Sequence, residues 1–183
     1  MTTGETRLAD SEKLAALLDN LASQVAENRH VDAPLALVGV RTRGVPIAER
    51  LADRLSRDLG VVVPVGAVDI TLYRDDLGRG DRWPVLRGTE IDFSVEGTDI
   101  VLVDDVLFTG RTVRAALNTV CDLGRPARVR LAVMVDRGGR EFPIEANHVA
   151  LKCEAEANER VLVRVEPVDP MDEIVRASSR PST

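Results

Sequence analysis

The sequence predicts an α/β protein in which a parallel sheet core is covered by helices on both faces. Short, continuously apolar runs at 35–40 and 100–103 are typical of strands that are buried on both sides, and 129–135 is a further strand pattern. The stretches between them carry apolar residues every three or four positions, which is typical of amphipathic helices. Because strand and helix patterns alternate along the chain, the strands are expected to be parallel and joined by crossover helices.

Three helical patterns account for the segments between the strands. Their apolar positions run from Leu14 to Val25, from Ile47 to Leu55 and from Val113 to Cys121. Asp10 or Ser11 is suited to cap the first helix, and Gly60 is suited to end the second. Further strand-like segments lie at 61–73, 148–151 and 161–165.

The length of 183 residues fits a single domain. Residues 1–10 and 178–183 are polar and are predicted to be disordered tails on either side of one domain at 11–177. Residues 74–88 are rich in aspartate and glycine and have almost no periodicity. Loops of this length in compact domains are often lids or binding loops, so this one is a candidate functional segment.

Composition argues against several classes of function. The net charge is −6 and aromatic residues make up 3% of the chain, which does not favour a stacking platform for single-stranded nucleic acid. Cys121 and Cys153 have no metal-ligand spacing and are expected to be free thiols. The first ten residues contain no apolar signal-peptide core, and no apolar run approaches the roughly 20 residues of a membrane span. A cytoplasmic protein without a membrane partner is therefore expected.

The segment 101–112 carries the clearest chemical signal. An apolar strand ends in Asp104 and Asp105, and a short loop with Thr109, Gly110 and Thr112 then leads into a helix. The unpaired amides and positive dipole end of a helix N-terminus suit a phosphate group, and glycine allows close approach of the backbone. The two carboxylates can accept hydrogen bonds from sugar hydroxyls or hold a hydrated Mg²⁺. The alternative explanation is an ordinary strand-to-helix turn capped by aspartate.

Two other polar loops follow strand ends, at Thr42 and at Asp136. In open parallel sheets, ligands bind beyond the carboxyl ends of the strands. We therefore expect the loops at Thr42, Asp104 and Asp136 to converge on one site. The sequence contains no G-x-x-x-x-G-K-[ST] loop, no G-x-G-x-x-G after a strand and no G-x-S-x-G elbow, so those phosphate-binding and hydrolase motifs are excluded.

The residues 101–112 resemble the motif by which type I phosphoribosyltransferases bind 5-phosphoribosyl-1-pyrophosphate (PRPP). The segments 38–44, 69–77 and 131–138 resemble the pyrophosphate loop, the flexible loop and the base-binding segment of the PyrR family. Members of that family are pyrimidine operon regulators and uracil phosphoribosyltransferases. The likeness spans roughly residues 14–168 and implies a type I phosphoribosyltransferase fold with a small hood beside the flexible loop. It also implies the conversion of uracil and PRPP to UMP and pyrophosphate, with Mg²⁺ as cofactor, in a homodimer or larger homo-oligomer. A role as a UMP-responsive regulator of pyrimidine biosynthesis genes is implied as well.

The resemblance further implies roles for individual residues. PRPP would be bound by Asp104, Asp105, Val106, Leu107, Phe108, Thr109, Gly110, Arg111 and Thr112. Pyrophosphate would be bound by Thr42, Arg43 and Gly44, and the flexible loop would contribute Tyr73, Arg74, Asp75 and Asp76. The base would lie against Met134, Val135, Asp136 and Arg137, and Mg²⁺ would be held mostly through PRPP and water by Asp104, Asp105 and Asp136. Arg43, Arg74 and Asp105 are the predicted catalytic residues.

Members of the PyrR family often bind the leader of the pyrimidine messenger RNA. Candidates for a basic face in this chain are Arg125, Arg128, Arg130, Arg137 and Arg140. However, Glu154, Glu156 and Glu159 stand where the family usually has a more basic segment, and they would repel phosphates. The sequence thus predicts weak or lost RNA binding. Two alternatives remain: an RNA-binding attenuation regulator with little catalysis, and a phosphoribosyltransferase for another base such as a purine or orotate.

Overall fold

A computed structural model describes residues 5–70, 88–156 and 158–178. Its strands and helices follow one another in the order β1 (Glu5–Ala9), α1 (Ser11–Glu27), β2 (Leu35–Val40), α2 (Gly44–Leu59), β3 (Val65–Val68), β4 (Asp99–Leu107), α3 (Arg111–Asp122), β5 (Arg128–Asp136), β6 (His148–Lys152), β7 (Glu159–Arg164) and β8 (Glu173–Ser178). In these residues, β3-β2-β4-β5-β6 form a parallel sheet of five strands, and β1-β8-β7 form an antiparallel sheet of three. The predicted α/β class and parallel core are confirmed.

The central strand β4 shows why helices cover both faces of the larger sheet. Its side chains alternate, so that Val101 and Val103 belong to the core formed with α1 and α2. Ile100 and Leu102 belong to a second core, formed with α3. A period of two in a fully apolar strand requires apolar partners on each side, and the amphipathic helices supply them.

The predicted helix ends are confirmed at two positions. Asp10 caps α1, with its carboxylate accepting a hydrogen bond from the Lys13 amide at 3.0 Å. Gly60 ends α2 with a φ of 67°, a left-handed conformation that glycine adopts without steric cost.

The smaller sheet corrects the prediction of a disordered tail at residues 1–10 for residues 5–9, while residues 1–4 lie outside the described ranges. Glu5–Ala9 is a strand that pairs antiparallel with β8, and β8 itself has no counterpart among the predicted strands. These strands are polar and half-exposed, so they lack the apolar pattern by which the other strands are recognised. Cross-strand ion pairs of Arg7 and Arg164 with Glu173 hold them together, and Ala9 and Ile174 join the α1–α2 core.

Other predictions concern segments that are shorter than expected or that lie outside the described ranges. The strand expected at 61–73 is shorter, at Val65–Val68, and follows Pro64 directly. Residues 71–87, which include the predicted flexible-loop residues Tyr73, Arg74, Asp75 and Asp76, lie outside the described ranges, as does the predicted tail beyond Ser178. None of the helices in the described ranges is both long enough and apolar enough to span a membrane.

Candidate active site

A cavity of about 430 Å³ opens where β4 and β5 end and α2 and α3 begin. It brings together residues from the predicted pyrophosphate loop, the predicted PRPP loop, the predicted base segment and the smaller sheet. Its described lining consists of Arg43, Asp104, Asp105, Val106, Leu107, Phe108, Thr109, Gly110, Thr112, Val113, Arg137, Arg160, Val161, Leu162 and Val163. The three loops that were predicted to converge each contribute to this lining, with Arg43 from the first, Asp104 from the second and Arg137 from the third.

The N-terminus of α3 borders the cavity, with Gly110 and Thr112 in the lining. Gly110 is the N-cap residue, with a φ of 92°, and as a glycine it has no side chain to cap the helix. The Thr109 hydroxyl accepts a weak hydrogen bond from the Arg111 amide at 3.3 Å, which folds the loop back over the helix end. The amides of a first helical turn have no partner within the helix, so they present donors to the cavity together with the positive end of the dipole.

Asp104 and Asp105 stand at the end of β4, next to this helix start. The Asp104 side chain is buried, and its carboxylate accepts a hydrogen bond from the Asp105 amide at 3.0 Å. The Asp105 carboxylate accepts one from the Val106 amide at 2.9 Å. These bonds fix both carboxylates within β4, which continues past its predicted end at the aspartates to Leu107.

The predicted pyrophosphate loop lies against β4 through close backbone contacts. A Cβ atom on Gly44 would lie 2.4 Å from the Val103 carbonyl oxygen, so only glycine fits at this position. Thr42 is exposed and the peptide bond before it is cis. Arg43 follows and lines the cavity. Thr42 and Gly44 are not in the lining, so Arg43 is the loop's contribution to it among the described residues.

Arg43 carries an ion pair that the sequence did not indicate. Its Nε and Nη2 each donate to the Asp169 carboxylate at 2.8 Å. This hydrogen bond, supported by the charge of nearby Asp105, raises the pKa of Arg43 despite partial burial. In return, the bond from Arg43 lowers the pKa of Asp169. Both groups are therefore charged at neutral pH.

The predicted base segment divides into residues that reach the cavity and residues that do not. Arg137 lines it, with its guanidinium stacked 3.8 Å from the ring centroid of Phe108. Met134 and Val135 are fully buried in β5 and are absent from the lining. Asp136 is also absent, because its carboxylate pairs with Arg140 at 2.7 Å and accepts the Gly138 amide at 3.0 Å. Burial alone would raise the pKa of Asp136, but these bonds hold it below its ordinary value.

Arg140 connects the predicted base segment to the predicted PRPP loop. Besides its pair with Asp136, it donates to the carbonyl oxygens of Phe108 at 3.0 Å and Ile144 at 2.9 Å, with a longer contact to Leu107. One half-buried guanidinium thus holds three backbone segments around the cavity rather than facing solvent.

The arginines that were candidates for a basic face are largely engaged inside the fold. Arg128 and Arg130 both pair with the fully buried Asp99, at 3.0 and 2.9 Å. Arg130 also lies 3.0 Å from the ring nitrogen of His148, whose pKa burial lowers to about 4. With Arg137 stacked and Arg140 bound to carbonyls, Arg125 is the remaining exposed candidate among the five.

The smaller sheet supplies site residues that the sequence did not reveal. Strand β7 lines the cavity with Arg160 to Val163, and the turn after it carries Asp169. The strand at 161–165 could be recognised from its alternating valines, but nothing in that pattern says which sheet it joins. In the structure it is the edge strand of the smaller sheet, where it pairs with β8 on one side and borders the cavity.

Comparison with known proteins agrees with this geometry. The phosphoribosyl transferase domain family matches residues 4–168. Proteins described as bifunctional protein PyrR are 46% identical in Pelotomaculum thermopropionicum, over 96% of this chain and 97% of the relative, and 47% identical in Listeria welshimeri, over 91% and 92%. The chain belongs to the PyrR family of phosphoribosyltransferases.

The fold is shared more widely than the sequence. A hypoxanthine phosphoribosyltransferase of Trypanosoma cruzi superposes with a TM-score of 0.70 at 19% identity, covering 96% of this chain and 97% of that one. Such a likeness confirms the type I phosphoribosyltransferase fold of this PyrR-family chain and carries no information on its base.

Proposed function

We propose that this chain is a uracil phosphoribosyltransferase, which converts uracil and PRPP to UMP and pyrophosphate. One observation carries the proposal: a single cavity contains an uncapped helix start for a phosphate, two carboxylates for a ribose and a guanidinium for a pyrophosphate. Phosphate, ribose and pyrophosphate are the three chemical groups of PRPP.

The reaction is a displacement at C1′ of the ribose. The bond from C1′ to the pyrophosphate oxygen breaks, a bond to N1 of uracil forms, and N1 loses its proton. The transition state resembles an oxocarbenium ion, so the chain contributes by placing charge and by holding the reactants in line. Arg43 stabilises the charge that develops on the leaving pyrophosphate, and Asp105 orients the ribose hydroxyls.

The donor set fits a Mg²⁺ ion that arrives with its substrate. Within the described ranges, no group of three or more histidine, cysteine, aspartate or glutamate side chains is arranged to hold a metal. Mg²⁺ is usually bound by one or two carboxylates together with substrate phosphates and water, and Asp104 and Asp105 can supply those carboxylates. When bound, the ion would neutralise charge on the pyrophosphate. Asp136, engaged by Arg140, is the weakest of the three predicted metal residues.

The base is expected at the side of the cavity formed by Arg137, Phe108 and β7. Membership of the PyrR family, rather than the shape of this surface, is what favours uracil over a purine or orotate. The roles predicted for Met134 and Val135 would have to come from their backbone, since their side chains are buried.

RNA binding by this chain is proposed to be weak. Four of the five arginines considered for a basic face are bound to carboxylates, carbonyls or an aromatic ring, and the acidic Glu154, Glu156 and Glu159 remain. An electrophoretic mobility assay with a pyrimidine leader RNA, repeated at several salt concentrations, tests this. Tight binding with a steep salt dependence would instead establish the regulatory alternative.

The catalytic proposal is tested by incubating the chain with Mg²⁺, PRPP and a panel of bases, and by measuring nucleotide formation. UMP formed from uracil alone, and lost in Asp105→Asn, supports the proposal. A different nucleotide would retain the PRPP site and overturn the substrate. No product with any base would overturn the enzymatic proposal. Light scattering of the same sample tests the predicted homodimer or larger assembly.

A further inference from the structure

The turn between β7 and β8, residues 165–172, docks onto α2 through two aspartates. Arg43 and Arg50 are seven residues apart, about two helical turns, so they face the same side of α2. Arg43 donates through Nε and Nη2 to Asp169 at 2.8 Å, and Arg50 donates through Nη1 and Nη2 to Asp172 at 2.6 and 3.1 Å. Both contacts are bidentate, the strongest form of an arginine–carboxylate pair.

The two carboxylates are also alike in their backbone contacts. Asp169 accepts a hydrogen bond from the Val165 amide at 3.0 Å, and Asp172 accepts one from the Glu166 amide at 2.9 Å. Each aspartate therefore holds the turn together and fastens it to α2. As anchors of the smaller sheet, the two residues are closely matched.

The two aspartates differ in the surroundings of the arginine that each one binds. Arg43 lines the cavity, whereas Arg50 does not. The Asp169 side chain is 12% exposed against 35% for Arg43, so the carboxylate is shielded while the guanidinium stays open. A guanidinium has five N–H groups, and Asp169 uses the Nε–Nη2 edge. The edge that includes Nη1 is not used by this contact, so Arg43 can hold Asp169 and a phosphate oxygen at the same time.

We propose that Asp169 is a positioning residue, which holds Arg43 in the orientation that binds the pyrophosphate group of PRPP. Asp169 acts through Arg43 and does not touch the substrate. The smaller sheet thereby contributes to pyrophosphate binding at a distance of 126 residues along the chain from Arg43. This inference rests on the proposed function, because it assumes that the ligand of Arg43 is pyrophosphate.

The test compares Asp169→Asn with the matched control Asp172→Asn. In both variants the amide oxygen can still accept the backbone N–H, so only the charged contact with arginine is weakened. Titration calorimetry with Mg²⁺ measures the affinity for PRPP and, separately, for UMP, which lacks the pyrophosphate group. We expect Asp169→Asn to weaken PRPP binding about tenfold, the effect of losing a charge-assisted hydrogen bond. UMP binding in this variant, and both affinities in Asp172→Asn, should stay within about twofold of the original chain.

Two results would overturn the inference. Equal loss of PRPP affinity in both variants would mean that the aspartates only dock the smaller sheet. Tighter PRPP binding in Asp169→Asn would mean that Asp169 competes with pyrophosphate for Arg43. Failure of the unaltered chain to bind either PRPP or UMP would overturn the proposed function itself, and so is distinguishable from both.

A second variant and a stability measurement distinguish loss of the charged contact from loss of folding. Asp169→Glu keeps the negative charge, and it should recover part of the PRPP affinity that Asp169→Asn loses. Thermal unfolding of every variant shows whether the fold is retained. If Asp169→Asn unfolds, Arg43→Gln provides the test. PRPP and UMP affinities that are both unchanged in Arg43→Gln would overturn the inference, because Asp169 would then have no ligand-binding group to position.

Discussion

Replacing Gly44 by alanine should disable the site through a displacement of its pyrophosphate loop. The new Cβ would lie 2.4 Å from the Val103 carbonyl oxygen, and such contacts must open to between 3.0 and 3.4 Å. The start of α2 must therefore move away from β4 by about 0.6 to 1 Å, since both neighbours are backbone. Arg43 is adjacent to Gly44 and would move away from Asp104 and Asp105 with it.

The magnitude follows from the size of that shift. A misplacement of about 1 Å in a reacting arrangement can cost roughly 100-fold in rate. Overpacking of this kind also costs about 1–3 kcal/mol of stability. We expect kcat/KM for UMP formation to fall about 100-fold in Gly44→Ala, measured by following uracil consumption at several PRPP concentrations.

Gly97→Ala is the control for the stability cost. Gly97 has a φ of 70°, so alanine there is strained, but its Cβ would meet nothing within 4 Å. It lies before the start of β4, at the opposite end of that strand from the site. Both variants should lower the melting temperature, and only Gly44→Ala should lose activity. Activity in Gly44→Ala within about twofold of the original chain would refute the reasoning that this close approach positions Arg43.

Three further predictions concern side chains around the cavity and the core. Arg140→Gln should raise the KM for PRPP about tenfold, because the carbonyls of the proposed PRPP loop lose a charged hydrogen-bond donor. Steady-state kinetics at saturating uracil measures this KM, and an unchanged value would contradict the prediction. Phe108→Leu should weaken UMP binding by about 1 kcal/mol, since Arg137 loses the ring on which it stacks. If calorimetry shows the same UMP affinity as in the original chain, the stacking contact has no role in UMP binding. His148 has a native pKa of about 4, so the unfolded chain binds more protons between pH 4 and about 6.5, and stability falls as the pH is lowered through that window. His148→Gln should remove about 3 kcal/mol of that loss in urea unfolding, and an unaltered pH dependence would show that burial does not set this pKa.

The larger sheet could be predicted from sequence because its pattern is local. Strands β2 and β4 contain the apolar runs 35–40 and 100–103, so the polar position of Asp104 directly after such a run can be read from the sequence, although β4 itself continues to Leu107. The rule that ligands bind beyond the carboxyl ends of parallel strands then brings Arg43 and Asp104 together without knowledge of the coordinates.

The smaller sheet could not be predicted in the same way. Glu5–Ala9 has three exposed positions in five, and its pairing with β8 depends on residues more than 160 positions away along the chain. The contact between Arg43 and Asp169 is also long-range, at 126 residues along the chain. Propensity and periodicity describe only neighbours along the chain, so cross-strand pairs of charged residues at this separation leave no local signal.

The arginines show why residue type alone does not locate an anion-binding surface. Arg128 and Arg130 lie close to Arg137 in sequence, yet they point toward the buried Asp99, at the end of β4 and β5 that is remote from the cavity. Among the described lining residues, Arg43, Arg137 and Arg160 come from three separate segments, and it is the fold that assembles them. The cavity lining thus combines these three arginines with the carboxylates of Asp104 and Asp105, in a chain with a net charge of −6. Substrate affinity should consequently depend on these three positions far more than on the overall charge of the protein.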